Sequence, residues 1–295
     1  MKANQASRTA QYMALFRALE NNRTKQQQLF QDQYAVSFLN TKHRLVTKLS
    51  TFSRVRKWVE QVIYKKIPGA YSSGLARTKY IDDLLEQSIR NGVQQVIILG
   101  AGFDTRALRI PFLSAITVIE IDHPNTAKLK LSVLRKKLAQ LPRNVKYIQT
   151  DFNTESLDEL AIKHAINFSI PTTIIWEGVS NYLDAHAIYN TFAFASRFVS
   201  PSTIIFTYIN KQVLDEPEAF YGASKLLNDL VAIEEKWTFG FHPNELAGYL
   251  KPFNLVLKED KGAAEYRNDY MPDRNEKGYE FYRVALAVKS PPGGR

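Results

Sequence analysis

At 295 residues, with 45% apolar and 12% aromatic side chains, the chain can bury the core of one large domain with additions, or of two smaller ones. It contains no cysteine, which excludes disulfides, a thiolate nucleophile and a cysteine-ligated zinc, and no metal site is expected. Thirty-nine Lys and Arg against 29 Asp and Glu leave a net charge of +10, but they are scattered and not interleaved with aromatics in one tract, so nucleic acid is not an expected partner.

The opening residues lack the unbroken apolar core of a secretory signal, and no run of about eighteen apolar residues could span a bilayer. A cytoplasmic protein without a membrane partner is the expectation. Residues 1–90 read as a helical region. In "TAQYMALFRALE", Ala10, Met13, Ala14, Phe16 and Leu19 fall near the 3.6-residue period. "LFQDQYAVSFL" repeats that pattern, and "STFSRVRKWVEQVIYKKI" is a longer amphipathic helix stopping before Pro68-Gly69. "ARTKYIDDLLEQSI" is another, closed by Asn91-Gly92.

From there strands and helices alternate. "QQVIILG" (94–100) and "AITVIEID" (115–122) are buried strands, followed by a helix with Pro124 in its first turn and leucines at 129, 131, 134 and 138. "VKYIQTDF" (145–152), "PTTIIWEG" (171–178) and "STIIFTYI" (202–209) continue the series. The alternation predicts a mostly parallel sheet covered on both faces. "FNLVLKED" (253–260) and "YRVALAVK" (282–289) have no clear helix between them and predict an antiparallel hairpin at the sheet edge. The expected organisation is a helical cap over 1–90, a ligand-binding domain over 91–290 interrupted by an insertion at 211–245, and a frayed tail at 291–295.

In such a sheet, ligands bind beyond the carboxyl ends of the strands. The first strand exits into Gly100-Ala101-Gly102, where missing side chains let backbone approach a ligand. The second ends in Glu120-Ile121-Asp122, whose carboxylate can accept both hydroxyls of a ribose. Asp151 and Phe152, ending the third, suit adenine: the acid for its exocyclic amine, the ring for stacking. A dinucleotide and S-adenosylmethionine both fit this set. Against the dinucleotide, the third glycine of its fingerprint is replaced by Thr105, beside Asp104, a poor neighbour for a pyrophosphate.

With "QQVIILGAGFDTRALRI", "EIDHPNTAKLK", "QTDF" and "IIWEGVSNYL" in order, the chain resembles the leucine carboxyl methyltransferase-like group of class I S-adenosylmethionine-dependent O-methyltransferases. "SRTAQYMALFRALE", "FQDQYA" and "ARTKYIDDLL" resemble that group's N-terminal helical region. The resemblance implies a seven-stranded Rossmann-like α/β sheet with a helical cap and S-adenosylmethionine as cofactor. It further implies that Arg77 holds the cofactor carboxylate, that Gly100, Ala101 and Gly102 line its methionine moiety, and that Asp122 takes the ribose. Asp151 and Phe152 would flank adenine, with Glu177 near the cofactor's amino group or sulfonium. Asp104 and Arg106 read as partners that stabilise the turn.

Within that frame the expected reaction is methyl transfer to a carboxylate or hydroxyl of a small molecule. The alternatives are a protein's terminal carboxylate as acceptor and, from another class, a nicotinamide-dependent oxidoreductase. A carboxylate needs no general base, whereas a hydroxyl does. Of the five histidines, His186 and His242 are the candidate bases, while His123 and His164 read as structural. Tyr182 is a candidate for the acceptor pocket, with Tyr71 and Tyr208 behind it.

Overall fold

A computed structural model describes residues 8–151 and 155–291. Four helices come first: α1 (Arg8–Glu20), α2 (Thr41–Leu49), α3 (Ser53–Lys66) and α4 (Ala70–Arg90). The alternating part follows as β1 (Gln95–Leu99), α5 (Arg106–Arg109), β2 (Thr117–Asp122), α6 (Pro124–Lys137), β3 (Val145–Gln149), α7 (Leu157–Lys163), β4 (Thr172–Trp176), α8 (Ala185–Ser196) and β5 (Thr203–Ile209). Short α9 (Gln212–Asp215), α10 (Ala223–Ala232) and α11 (Leu246–Leu250) precede β6 (Leu255–Gly262), α12 (Ala263–Tyr270) and β7 (Tyr282–Lys289).

The strands form one seven-stranded sheet in the order β3-β2-β1-β4-β5-β7-β6, with β7 antiparallel to both neighbours. The chain reverses its direction of travel across the sheet between β1 and β4, which opens a crevice at their carboxyl ends. Alternate residues of β1 serve opposite cores: Val96 and Ile98 pack with α1 and α4, Ile97 and Leu99 with α7 and α8. Both faces being covered, the strand reads as unbroken apolar sequence.

The edge pair 253–260 and 282–289 is antiparallel as expected, but it is not a simple hairpin. Helix α12 intervenes, and β7 lies inside the sheet between β5 and β6. Its inward side chains are Ala263, Tyr266 and Arg267, so the usual aliphatic stripe is missing from the sequence. The stretch "LFQDQYAVSFL" forms a loop and a single 3-10 turn, Ala35–Phe38, not a helix. Buried Asp32 explains this: its Oδ1 accepts from the backbone N–H of Tyr34 and Ala35, a local bond that competes with helix formation.

Helix α4 begins earlier than "ARTKYIDDLLEQSI" suggests, at Ala70 directly after Gly69. Gly74, which weakens the helical pattern there, is where α1 crosses: a Cβ would lie 3.2 Å from Phe16 and 3.3 Å from Met13. In the segment 211–245, Val213, Leu226, Leu230 and Trp237 form a small core with Ile209 and Tyr282, beyond the end of β5. The tail at 292–295 lies outside the described residues.

Candidate active site

The site is built on the exits of β1, β2 and β4. After β1, Gly100 and Gly102 take φ of +65° and +50°, in the left-handed region that disfavours side chains. A Cβ on Gly100 would meet Val179 Cγ2 at 2.4 Å, so the β1 and β4 exits touch through a backbone without side chain. At the tip of β2, Asp122 Oδ2 accepts from Gly102 N at 2.6 Å and Oδ1 from His123 N at 2.7 Å. Burial raises the Asp122 carboxyl pKa, and these two backbone donors work against that shift. Each oxygen retains a lone pair for a further donor.

His123 caps α6, its Nδ1 accepting from Asn125 N at 3.3 Å, and its Nε2 is 4.0 Å from Asp151 Oδ2. The imidazole therefore stands between the two acids assigned to ribose and adenine, a place its sequence context did not announce. Phe152 lies outside the described residues.

At the β4 exit, Glu177 Oε1 accepts from Arg77 Nε and Oε2 from Arg106 Nη1, each at 2.9 Å. Arg106 also donates to Asp82 Oδ1 at 2.7 Å and pairs with Asp104, whose Oδ1 accepts from Arg106 N. Arg109 closes the chain on Asp82 Oδ2 at 2.7 Å. Burial alone would raise the carboxyls, but the guanidinium groups outweigh it: Asp104 is held at about 2 and Glu177 below its usual range. Asp104 and Arg106 thus bind each other in the turn, and Arg106 reaches beyond it to Asp82 and Glu177. Arg77 stacks over Tyr282 with 4.7 Å to the ring centroid, and among the described residues its Nη2 meets only the weak acceptor Met13 Sδ at 3.5 Å. Of its five N–H donors, some remain for a ligand.

Helix α1 covers these exits. Arg17 donates to Phe103 O and to Asp32, and Asp32 accepts from Thr105 Oγ1 at 2.6 Å. Ala10 faces Gly102, and Thr9 bonds Glu235 and lies 3.4 Å from the Tyr182 hydroxyl. Burial pushes the Tyr182 hydroxyl up to about 12, so it is a donor at neutral pH. Tyr182 therefore sits where α1, the β4 loop and the 211–245 segment converge. His186 is exposed on the first turn of α8, and half-buried His242 follows Phe241. Neither joins the ion network or bonds to the glycine turn. Tyr208 is fully buried, its hydroxyl on Asp260, and Tyr71 packs edge-on against Phe16.

Comparison with known proteins decides what kind of site this is. The family model described as leucine carboxyl methyltransferase matches residues 10–196. The chain belongs to the leucine carboxyl methyltransferase family. A relative from Bacillus subtilis (strain 168), named "Putative S-adenosyl-L-methionine-dependent methyltransferase YktD", is 25% identical over 98% of this chain and 100% of its own. One from Mycobacteroides abscessus, named "Putative S-adenosyl-L-methionine-dependent methyltransferase", is 30% identical, the aligned part being 61% of this chain and 58% of that one. The fold is also that of the crystal structure of a "putative methyltransferase" from Thermobifida fusca YX, with TM-score 0.60, 16% identity and coverage of 98% and 97%. As a leucine carboxyl methyltransferase family member, the protein is an S-adenosylmethionine-dependent methyltransferase. The residues present fit that cofactor: an acid with free lone pairs at the β2 tip and a guanidinium with donors to spare.

Proposed function

We propose that the protein transfers the methyl group of S-adenosylmethionine to a carboxylate oxygen of a small molecule. Asp122 would hold the ribose hydroxyls, Asp151 and Phe152 the adenine, Gly100, Ala101 and Gly102 the methionine chain, and Arg77 with Glu177 the two charges at its end. The cofactor supplies an electrophilic methyl on a cationic sulfur. What the chain must add is placement of the acceptor in line with that methyl and exclusion of water, which supplies much of the rate in such a displacement.

One observation carries the choice of acceptor. The acid at the β4 exit, Glu177, is clamped by two guanidinium groups and held below the normal carboxyl range, so it is a poor proton acceptor. Tyr182 is protonated, and neither His186 nor His242 is bonded to the network. A hydroxyl acceptor would need a base here; a carboxylate arrives as a nucleophile and asks only for donors to aim it. Tyr182 and Thr9 are suited to that.

The test is to incubate the protein with methyl-labelled S-adenosylmethionine and cell extract separated into small-molecule and protein fractions, then treat labelled products with alkali. Methyl esters release labelled methanol; alkali-stable label would mean an ether and a hydroxyl acceptor. Label found only at a polypeptide's terminal carboxylate would move the protein to the alternative acceptor.

A further inference from the structure

The α2–α3 hairpin carries a face that methyl transfer does not use. Its inner stripe is ordinary: Val59 is buried, and Val46, Val55 and Ile63 pack against the core shared by α1 and α4. Its outer side is not. Leu45, Leu49, Phe52, Trp58 and Val62 are 57%, 44%, 67%, 63% and 45% exposed, five of the twelve large apolar side chains exposed among the described residues. Leu45 and Leu49 are one turn apart on α2, Trp58 and Val62 one turn apart on α3, and Phe52 stands at the turn between them as the residue capping α3.

Charge is concentrated on the same hairpin. Residues 41–66 hold eight Lys and Arg and a single acid, Glu60, and so carry seven of the chain's ten net positive charges. Glu60 is engaged by Arg274. Lys42, Arg44, Lys48, Arg54, Lys57 and Lys65 are exposed, and among the described residues none has a carboxylate within ion-pair distance. Exposed Lys163 and Lys225 pair with Glu155 and Asp229, but Lys128, Lys136 and Lys251 are exposed and lack an ion pair among the described residues as well, so what sets the hairpin apart is the density of cation around its apolar side chains.

Unpaired like charges around protruding aromatic and aliphatic side chains are unfavourable in water on both counts. An anionic lipid surface reverses both, taking the apolar tips into the headgroup boundary and the cations onto phosphates. We propose that the α2–α3 hairpin docks this protein on the surface of an anionic phospholipid bilayer, led by Phe52 and Trp58. A second copy of the chain is disfavoured, because pairing this face with itself would bring two strongly cationic surfaces together. Nucleic acid would use the charges but leave Leu45, Leu49 and Val62 without a partner. Among the described residues no helix is long and apolar enough to cross a membrane, so the hairpin lies on the bilayer and does not enter as a span. The expectation of no membrane partner rested on the missing span and does not bear on a surface contact.

The experiment mixes the full chain with vesicles of phosphatidylcholine alone or blended with phosphatidylglycerol. Binding is read by co-sedimentation and by tryptophan emission. Trp58 is the exposed one of three tryptophans, the others, Trp176 and Trp237, being 1% and 5% exposed, so its blue shift reports contact. Binding to the blended vesicles, little to phosphatidylcholine, and release by salt are expected. Lys48→Gln with Lys57→Gln and Lys65→Gln should weaken partition by about fivefold for each charge removed. Phe52→Ser with Trp58→Ser should weaken it at least tenfold; circular dichroism and affinity for S-adenosylhomocysteine, both unchanged, report that these surface variants fold. Equal binding to neutral vesicles, no binding to anionic ones, or undiminished binding by folded variants overturns the proposal. So does finding that the apolar variant abolishes self-association or oligonucleotide binding while vesicle binding stays.

Discussion

Glu177, at the end of β4, is held on one carboxylate oxygen by Arg77 and on the other by Arg106, both at 2.9 Å. Through Arg106 the network runs on to Asp104, Asp82 and Arg109, so that three cations balance three anions in a largely buried cluster. Removing one partner leaves a charge uncompensated, which costs far more than the intact cluster contributes. Arg106→Met should therefore cost about 3–5 kcal/mol. A urea titration with the midpoint lowered and the slope unchanged is the expected result; a variant as stable as the parent would contradict the geometry.

Gly100 faces two obstacles to a side chain: its φ of +65° and Val179 Cγ2 at 2.4 Å from the Cβ position. The left-handed conformation alone costs an alanine about 1–2 kcal/mol. Gly100→Ala should lower thermal stability and weaken S-adenosylhomocysteine binding together, since the exits of β1 and β4 must part. Adding Val179→Ala should restore part of the stability, because it removes the clash and leaves the backbone strain. A double variant no better than the single would show that Val179 is not the obstacle.

The same clusters explain what could be read beforehand. "ARTKYID", "LGAGFDTR" and "WEGVSNYL" are far apart in the chain, yet each supplies a member of the ion network: Arg77 and Asp82, Asp104 and Arg106, Glu177. "SRTAQYMALFRALE" and "FQDQYA" likewise meet through Arg17 and Asp32, which bonds Thr105. The central strands β1, β4 and β5 were legible because both sheet faces are covered there and each reads as a largely apolar run. Helix α12 was not, since it buries tyrosine and arginine, and Asp32 made a loop of a helical pattern by bonding its own backbone. His123 was passed over because its position between Asp122 and Asp151 depends on the separation of two strand ends. The exposed face of α3 was obscured for a different reason: amphipathic periodicity does not say which stripe is covered.

Two buried glutamates set a pH dependence of stability opposite to the usual acid one. Burial raises Glu20 and Glu120 from 4.5 to about 7, more than Leu29 N–H and Arg23 lower the first or Lys130 lowers the second. The folded protein thus binds more protons than the unfolded chain between about pH 4.5 and 7, and stability falls as pH rises through that window. Asp104, held at about 2, acts the other way below about pH 4, and His43 and His164, whose imidazoles burial and neighbouring lysines depress, oppose the rise below about pH 6.5. Denaturation midpoints should rise on going from pH 7 to pH 5, and Glu20→Gln or Glu120→Gln should each flatten the rise. The gain per residue is at most about 3 kcal/mol. A curve as steep in both variants as in the parent would remove these two groups as its cause.

Asp122 uses one lone pair on each oxygen for backbone donors, from Gly102 and His123. If the rest accept the ribose hydroxyls, Asp122→Ala loses charge-assisted hydrogen bonds of about 1.5–3 kcal/mol each. Calorimetric titration with S-adenosylhomocysteine should show affinity reduced at least tenfold. Undiminished affinity in a folded variant would take the ribose away from this residue.

The choice of a carboxylate acceptor predicts what two histidines do not contribute. His186 is exposed on α8, and His242 lies near the end of the 211–245 segment, neither bonded to Glu177, Arg77 or Tyr182. An ionised carboxylate needs no proton removed, so His186→Ala and His242→Ala should each leave kcat within about threefold of the parent, whereas loss of a general base costs about a hundredfold or more. The pH profile should be level from about pH 6 to 8, because a carboxylate substrate is ionised throughout that range. Tyr182→Phe should act differently, raising KM more than it lowers kcat, as expected of a donor that orients the acceptor. A hundredfold fall in kcat for either histidine variant, with a rising limb near pH 6.5, would replace the carboxylate with a hydroxyl that must be deprotonated.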